Sequence, residues 1–189
     1  MNDYRRIPLG CGQMDVLTHL FLPLTVAYVL ARERVATPLL VVLSGFGVLP
    51  DLDKYLGMPG LLHSLITIVL VALALAGLEW VVWRGVTLST LAFAFLGSHL
   101  LLDIIDGGPV PLMYPLVETG LGLHYPIQTT FGSGVLGINF EGAPVHVVTA
   151  VPRHGFNTYG FINGFGVASA LLFGVIYLGL HGTQGGDWE

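Results

Sequence analysis

The sequence predicts an all-α membrane protein, a polytopic helical bundle of about five helices with a long irregular loop region capping one face. Three observations lead there. Only 10% of the 189 residues are charged and 53% are hydrophobic, with a mean hydropathy of +0.77, whereas a soluble domain carries about 25% charged residues. Apolar runs near membrane length follow one another and are broken by Arg, Pro or Gly-Pro. The His and Asp residues that interrupt those runs fall at their ends.

Residues 1–13 read as a polar, Gly-containing arm. Residues 14–31 form the first predicted membrane helix; Pro23 removes one backbone donor inside it, and Arg32, Glu33 and Arg34 end it. No small-residue cleavage site follows, so it is expected to be a retained helix and not a leader. Residues 37–49 make a second apolar run, shorter than the roughly 20 residues of a full crossing. Ser44, Gly45 and Gly47 allow close helix approach there, and Pro50 breaks the run. Residues 51–60 read as a polar turn. Residues 61–83 are the clearest span, closed by Trp80, Trp83 and Arg84 in the manner of an interfacial belt. Residues 86–106 are the fourth helix, ended by Gly107-Gly108-Pro109.

Residues 107–160 differ in kind. They are rich in Gly, Pro, Tyr and His and lack a helical apolar period. Such length without helix suggests a functional cap or a partly buried re-entrant region, with a short β-hairpin within 127–151 suggested by the alternation in VHVVTAV. Residues 161–180 are a fifth, Gly-rich helix. The whole chain, 1–189, is expected to be one membrane domain: a four-helix core over 14–106, a cap over 107–160, and the fifth helix.

Composition excludes some partners. Twelve acids against seven bases give a net charge of −5, and no basic stripe exists, so nucleic acid is not an expected partner. The single cysteine, Cys11, cannot form an internal disulfide. Membrane lipid is the expected surroundings.

Five crossings bring the ionisable segment ends to one membrane face. Asp15 and His19 open the first run, Asp51 and Asp53 follow the second, His63 opens the third, and His99 and Asp103 close the fourth. Ionisable side chains within membrane segments are costly and mark sites by default. His99 and Asp103 are spaced i, i+4, as are Asp15 and His19, so each pair shares one helix face. Taken singly, a His at a helix end also reads as an interfacial polar residue, and Asp51 as a cap or turn residue. Four segments converging favour a shared metal site. Imidazole with carboxylate suits zinc first, with manganese or iron as alternatives. His124, His146, His154, Glu118, Glu141, Asp106 and Arg153 are further candidates from the cap side. The basic short loops at Arg32–Arg34 and at Arg84 favour a site facing outward, while Arg5 and Arg6 on the site's side point the other way.

The order of motifs then carries a resemblance. M-D-x-x-T-H at Met14–His19, L-P-D-L-D at Leu49–Asp53, H-S at His63–Ser64, S-H-L-L-L-D at Ser98–Asp103 and the stretch GPVPLMYP at Gly108–Pro115 resemble the membrane-bound metal-dependent hydrolases of the YdjM-like family. The order of ligands is also similar, more distantly, to zinc-dependent phospholipase C and P1-type nucleases. The family resemblance implies that His19, Asp53, His63, His99 and Asp103 hold divalent metal. It further implies hydrolysis of a phosphoester or lipid-like substrate at the membrane interface by metal-activated water, with Asp51 or Asp15 as general base or orienting group. Family members often read H-R-G-x-T-H-S before the third helix; here Met58-Pro59-Gly60-Leu61-Leu62-His63-Ser64 lacks the first His and the Arg. The alternative is a non-catalytic metal-binding membrane protein, acting as a sensor, a transporter component or a structural subunit.

Overall fold

The computed structural model describes residues 15–56, 60–123, 125, 127–131, 135–140, 143–149 and 162–182. The described chain is mainly helical: α1 (Val16–Ala31), α2 (Thr37–Ser44), two 3-10 turns (Gly45–Gly47 and Leu49–Asp51), the single-turn α3 (Leu52–Tyr55), α4 (Leu65–Trp83), α5 (Thr87–Ile105) and α6 (Gly164–Gly182). Three helices, over Leu65–Trp83, Thr87–Ile105 and Gly164–His181, are long and apolar enough to cross a membrane; Val16–Ala31 and Thr37–Asp51 are shorter apolar segments. The architecture is an all-α membrane bundle. The sequence expectation of a featureless turn over 51–60 is refined, because Leu52–Tyr55 closes one helical turn directly after the second 3-10 turn. That turn of helix fixes where Asp53 points.

Each long helix starts on a side-chain cap. Asp15 accepts hydrogen bonds from the Thr18 amide at 2.9 Å and the Thr18 hydroxyl at 2.6 Å, satisfying orphan donors at the start of α1. Ser64 does the same for α4 through the Ile66 amide, and its hydroxyl donates to the Tyr114 carbonyl at 2.6 Å. The start of α5 is capped from a neighbouring helix. Glu79 of α4 accepts from the amides of Leu88 and Ser89 and from the Ser89 hydroxyl. This accounts for a buried carboxylate in an otherwise apolar helix: it replaces the water that the α5 amides would need. Arg84 ends α4 in the left-handed region at φ 57° and lies over the Trp80 ring.

The interior has two apolar clusters. Leu24, Tyr28, Leu40, Leu43 and Phe95 join α1, α2 and α5, with Phe173 and Tyr177 of α6 packed alongside. Ile68, Leu96, Leu100 and Val110 join α4, α5 and the segment after α5. The outward residues of α4, such as Leu70, Leu73 and Val81, are more than 60% exposed. In water this would be untenable; in hydrocarbon it is the expected lipid-facing surface.

The cap region is not irregular throughout. It holds four strands, β1 (Thr119–Leu123), β2 (Ile127–Phe131), β3 (Val135–Phe140) and β4 (Val145–Thr149), in two antiparallel pairs, β1–β4 and β2–β3. A hairpin does form within 127–151, from β2 and β3. The VHVVT segment that suggested it pairs elsewhere, with β1, placing His146 opposite Gly122. Space is tight there: a Cβ on Gly122 would lie 2.8 Å from the Gly108 carbonyl oxygen, which is backbone, and 2.8 Å from the His146 ring, so a side chain at 122 would crowd both. The cap is tied to the bundle by the Val110–Leu121 bridge and by the Leu65 amide donating to the Leu112 carbonyl.

Candidate metal centre

Every element around the site contributes because of how it begins or ends. His19 sits one turn into α1, Asp51 ends the second 3-10 turn, Asp53 lies in α3, His63 immediately precedes the α4 cap, and His99 and Asp103 occupy the last two turns of α5. α1 and α5 meet the 3-10 turn at Gly47, whose backbone is pressed on α1: a Cβ there would be 2.6 Å from the His19 carbonyl oxygen. The absence of a side chain brings the Gly47 carbonyl within 2.7 Å of His99 Nδ1.

Five side chains converge. His63 Nε2 and His99 Nε2 are 3.2 Å apart. Asp103 Oδ2 lies 3.4 Å from each of them, and Asp51 Oδ1 lies 3.7 Å from His63 Nε2 and 3.8 Å from His99 Nε2. The other oxygen of Asp103, Oδ1, is 3.2 Å from His19 Nε2. The His19 and His99 rings stack with centroids 4.0 Å apart. These groups fall into two sets able to hold an ion, His19–His99–Asp103 and Asp51–His63–His99.

The donor chemistry fits a cation. A carbonyl oxygen only accepts, so the His99 Nδ1 facing Gly47 carries a proton. His63 Nδ1 faces Asp53 Oδ2 at 2.9 Å and is likewise the donor. Neutral rings would therefore set two Nε2 lone pairs against each other at 3.2 Å, beside two carboxylates, in a buried pocket. That arrangement is repulsive without positive charge between them. The spacing also matches: donors about 2.0–2.1 Å from a tetrahedral ion lie roughly 3.3 Å from one another. Burial alone would lower the His63 pKa, but its hydrogen bonds with Asp103, Asp51 and Asp53 outweigh this and raise it to about 10. The pocket draws in positive charge, and a proton on His63 and a bound cation are alternatives.

Two of the sequence-predicted residues stand apart from the converging five. Asp53 is fully buried behind His63; its Oδ2 accepts from the Gly60 amide at 2.8 Å, the Leu62 amide at 3.1 Å and the His63 ring. Gly60 takes φ 92°, a left-handed conformation that glycine adopts freely. Asp53 Oδ1 and His19 Nδ1 are buried with no hydrogen-bond partner among the described residues. Asp15 is engaged in capping α1 and accepts from the Asn163 amide at 2.5 Å, clasping the start of α6. Of the cap candidates, Glu118 is exposed, and Glu118, Asp106 and His146 belong to neither ion-holding set. His124, Glu141, Arg153 and His154 lie outside the described residues. The sequence marks Gly47 only as a small residue; the Gly-x-Gly before Leu-Pro-Asp is the available signal for its contact with His99.

Asp53 acts on the pocket through the His63 ring. Asp53→Asn is expected to weaken metal retention about 10–100-fold, the usual cost of removing a group that orients a ligand, with helicity unchanged. Bound zinc after dialysis against graded chelator would show it; undiminished retention would assign Asp53 to backbone support alone.

A family description, YdjM inner membrane protein, matches residues 14–186. No curated protein and no solved structure matches the chain significantly. The more distant likeness to phospholipase C and P1-type nucleases thus rests on residue order alone.

Proposed function

The chain belongs to the YdjM inner membrane protein family, and from that premise we propose that it is an integral membrane metal-dependent hydrolase acting on a phosphoester or lipid-like substrate at the membrane interface. One observation carries the reading: the His63 and His99 Nε2 atoms face each other at 3.2 Å, with Nδ1 of each ring committed to a backbone carbonyl or a carboxylate. His63, His99 and Asp103 would hold a divalent ion, zinc first by donor type. His19 would share the Asp103 carboxylate, with room for a second ion on that side. Such an ion supplies Lewis acidity and an acidified water at neutral pH.

The protein's own groups do the rest. Asp53 and the Gly47 carbonyl hold the two imidazoles in one tautomer and one orientation. Asp51, whose side chain is 18% exposed and whose oxygen lies farthest from the ring nitrogens, is the carboxylate left to accept a proton from water that the ion would acidify. Asp15, the other residue considered for that role, is assigned instead to the α1–α6 clasp, because its oxygens already accept from Thr18 and Asn163. Asp103, with 22% of its side chain exposed, marks the side from which substrate enters. By the positive-inside rule the arginines at 32, 34 and 84, in short loops, favour a site on the outer face, against Arg5 and Arg6 on the site's own side.

Protein purified in detergent is expected to release phosphate or fatty acid from a panel of long-chain esters, to stop with chelator and to resume with zinc. Membrane-impermeant EDTA added to right-side-out vesicles would also stop it. No cleavage across the panel by protein that binds metal tightly would favour the non-catalytic metal-binding alternative.

A further inference from the structure

An apolar groove of about 390 Å³ runs between α1 and α5. Leu22, Val26 and Leu30 form one wall and Leu91, Ala94 and Leu102 the other. Ser98 also lines it, but its hydroxyl turns back to donate to the Phe95 carbonyl at 2.7 Å, so the wall it offers is hydrocarbon. The volume falls in the range of ligand pockets, about 300–1,000 Å³.

One end of the groove lies within a helical turn of the candidate ligands. On α1, His19, Leu22, Val26 and Leu30 are spaced i, i+3, i+7 and i+11, a single helix stripe whose first member is a candidate ligand. On α5, Ser98 and Leu102 directly precede His99 and Asp103. His19 and Asp103, next to that end along their helices, are themselves 3.2 Å apart. From Leu91 to Leu102 the groove follows α5 for about 16 Å, close to half of the roughly 30 Å hydrocarbon core. It therefore has the depth of one leaflet and begins within a helical turn of a charged site. Val26 is 53% exposed and Leu30 75% exposed, so the groove opens to the surroundings of the helices. In a bilayer those surroundings are hydrocarbon chains.

We propose that this groove seats one hydrocarbon chain of the substrate, a long-chain phosphate ester whose head lies at the Asp103 edge of the metal centre. The proposal rests on the hydrolase reading for its head group and on the groove for its tail. A chain lying along α1 and α5 brings the ester to the pocket from within the leaflet. A short, water-soluble phosphoester gains nothing from the groove.

The test uses zinc-loaded protein in phosphatidylcholine nanodiscs and phosphatidic acid bearing a diazirine at the end of one acyl chain. Photolabel is expected to concentrate on residues 20–31 and 90–102. Ala94→Trp and Val26→Trp, on opposite walls, fill the groove and are expected to remove that label with zinc content unchanged; the zinc content also reports that each variant has folded. KM for a long-chain phosphoester should rise about tenfold or more, the effect of losing about two buried methylenes, while KM for a short-chain phosphoester stays constant. Label spread equally over α4 and α6, or retained in both variants, would overturn the proposal. So would equal groove labelling by a diacylglycerol probe with the same chain. Cleavage with an unchanged long-chain KM in both variants refutes the groove and leaves the hydrolase reading intact. Groove labelling that needs the phosphate head and is lost in both variants, without cleavage of any ester, supports the groove and refutes the hydrolase reading.

Discussion

Alanine at both His99 and Asp103 is expected to strip the protein of bound metal, taking the metal-to-protein ratio from stoichiometric to near zero. His99 belongs to both ion-holding sets, and Asp103 spans them, with one oxygen toward His19 and the other toward His63 and His99. Removing both leaves no described set intact. The loss should exceed the roughly 100-fold upper range seen when only an orienting group is removed. The fold should survive, because the apolar clusters around Leu24, Phe95, Leu96 and Ile68 do not depend on either side chain. Elemental analysis beside circular dichroism in detergent checks both halves of the expectation. Wild-type protein with little metal, or a double variant that keeps it, would show that the imidazoles and carboxylates serve only one another.

Gly47→Ala is expected to have the next largest effect, reaching the pocket without altering any donor. The added methyl would sit 2.6 Å from the His19 carbonyl oxygen, which is backbone in the second turn of α1 and cannot swing aside. Overpacking of this kind costs about 1–3 kcal/mol. Relief requires the 3-10 turn to move off α1, carrying the Gly47 carbonyl away from His99 Nδ1. Both thermal stability and metal retention should fall. Gly166→Ala is the informative contrast. Its methyl would overlap the Asp15 carboxylate at the α1–α6 clasp, away from the ion-holding sets. That variant should unfold at lower temperature yet bind metal once folded. If Gly47→Ala loses stability but keeps full zinc affinity, the carbonyl contact to His99 does not govern the pocket.

The helical segments were legible because lipid imposes a length and an apolar content that few other contexts demand. The 61–83 and 86–106 runs became α4 and α5 with ends shifted by at most four residues. The convergence of His19, Asp51, His63, His99 and Asp103 was readable from topology, since an even number of crossings separates segments that share a face. The sheet pairing was harder. Alternation marked VHVVT as extended, but alternation carries no information about its partner, β1, where Gly122 lies opposite His146 with no side chain to crowd it. The separation of Asp51 from Asp53 was equally hidden. Both follow Pro50 in one short motif, yet the single turn of α3 sends Asp53 behind His63 and leaves Asp51 beside the His63 and His99 Nε2 atoms.

The sequence by itself determined the solvent of this protein and the chemistry it gathers. A chain with 10% charged residues must place its helices in lipid, and imidazoles and carboxylates at the ends of those helices must meet at one face. Tertiary structure alone decided which atoms face the pocket. That choice depends on backbone carbonyls, a glycine with no side chain and one turn of helix, all of which act through distances of 3–4 Å between segments far apart in the chain. Residue order specifies which groups are present, and only packing fixes the orientation of a ring nitrogen.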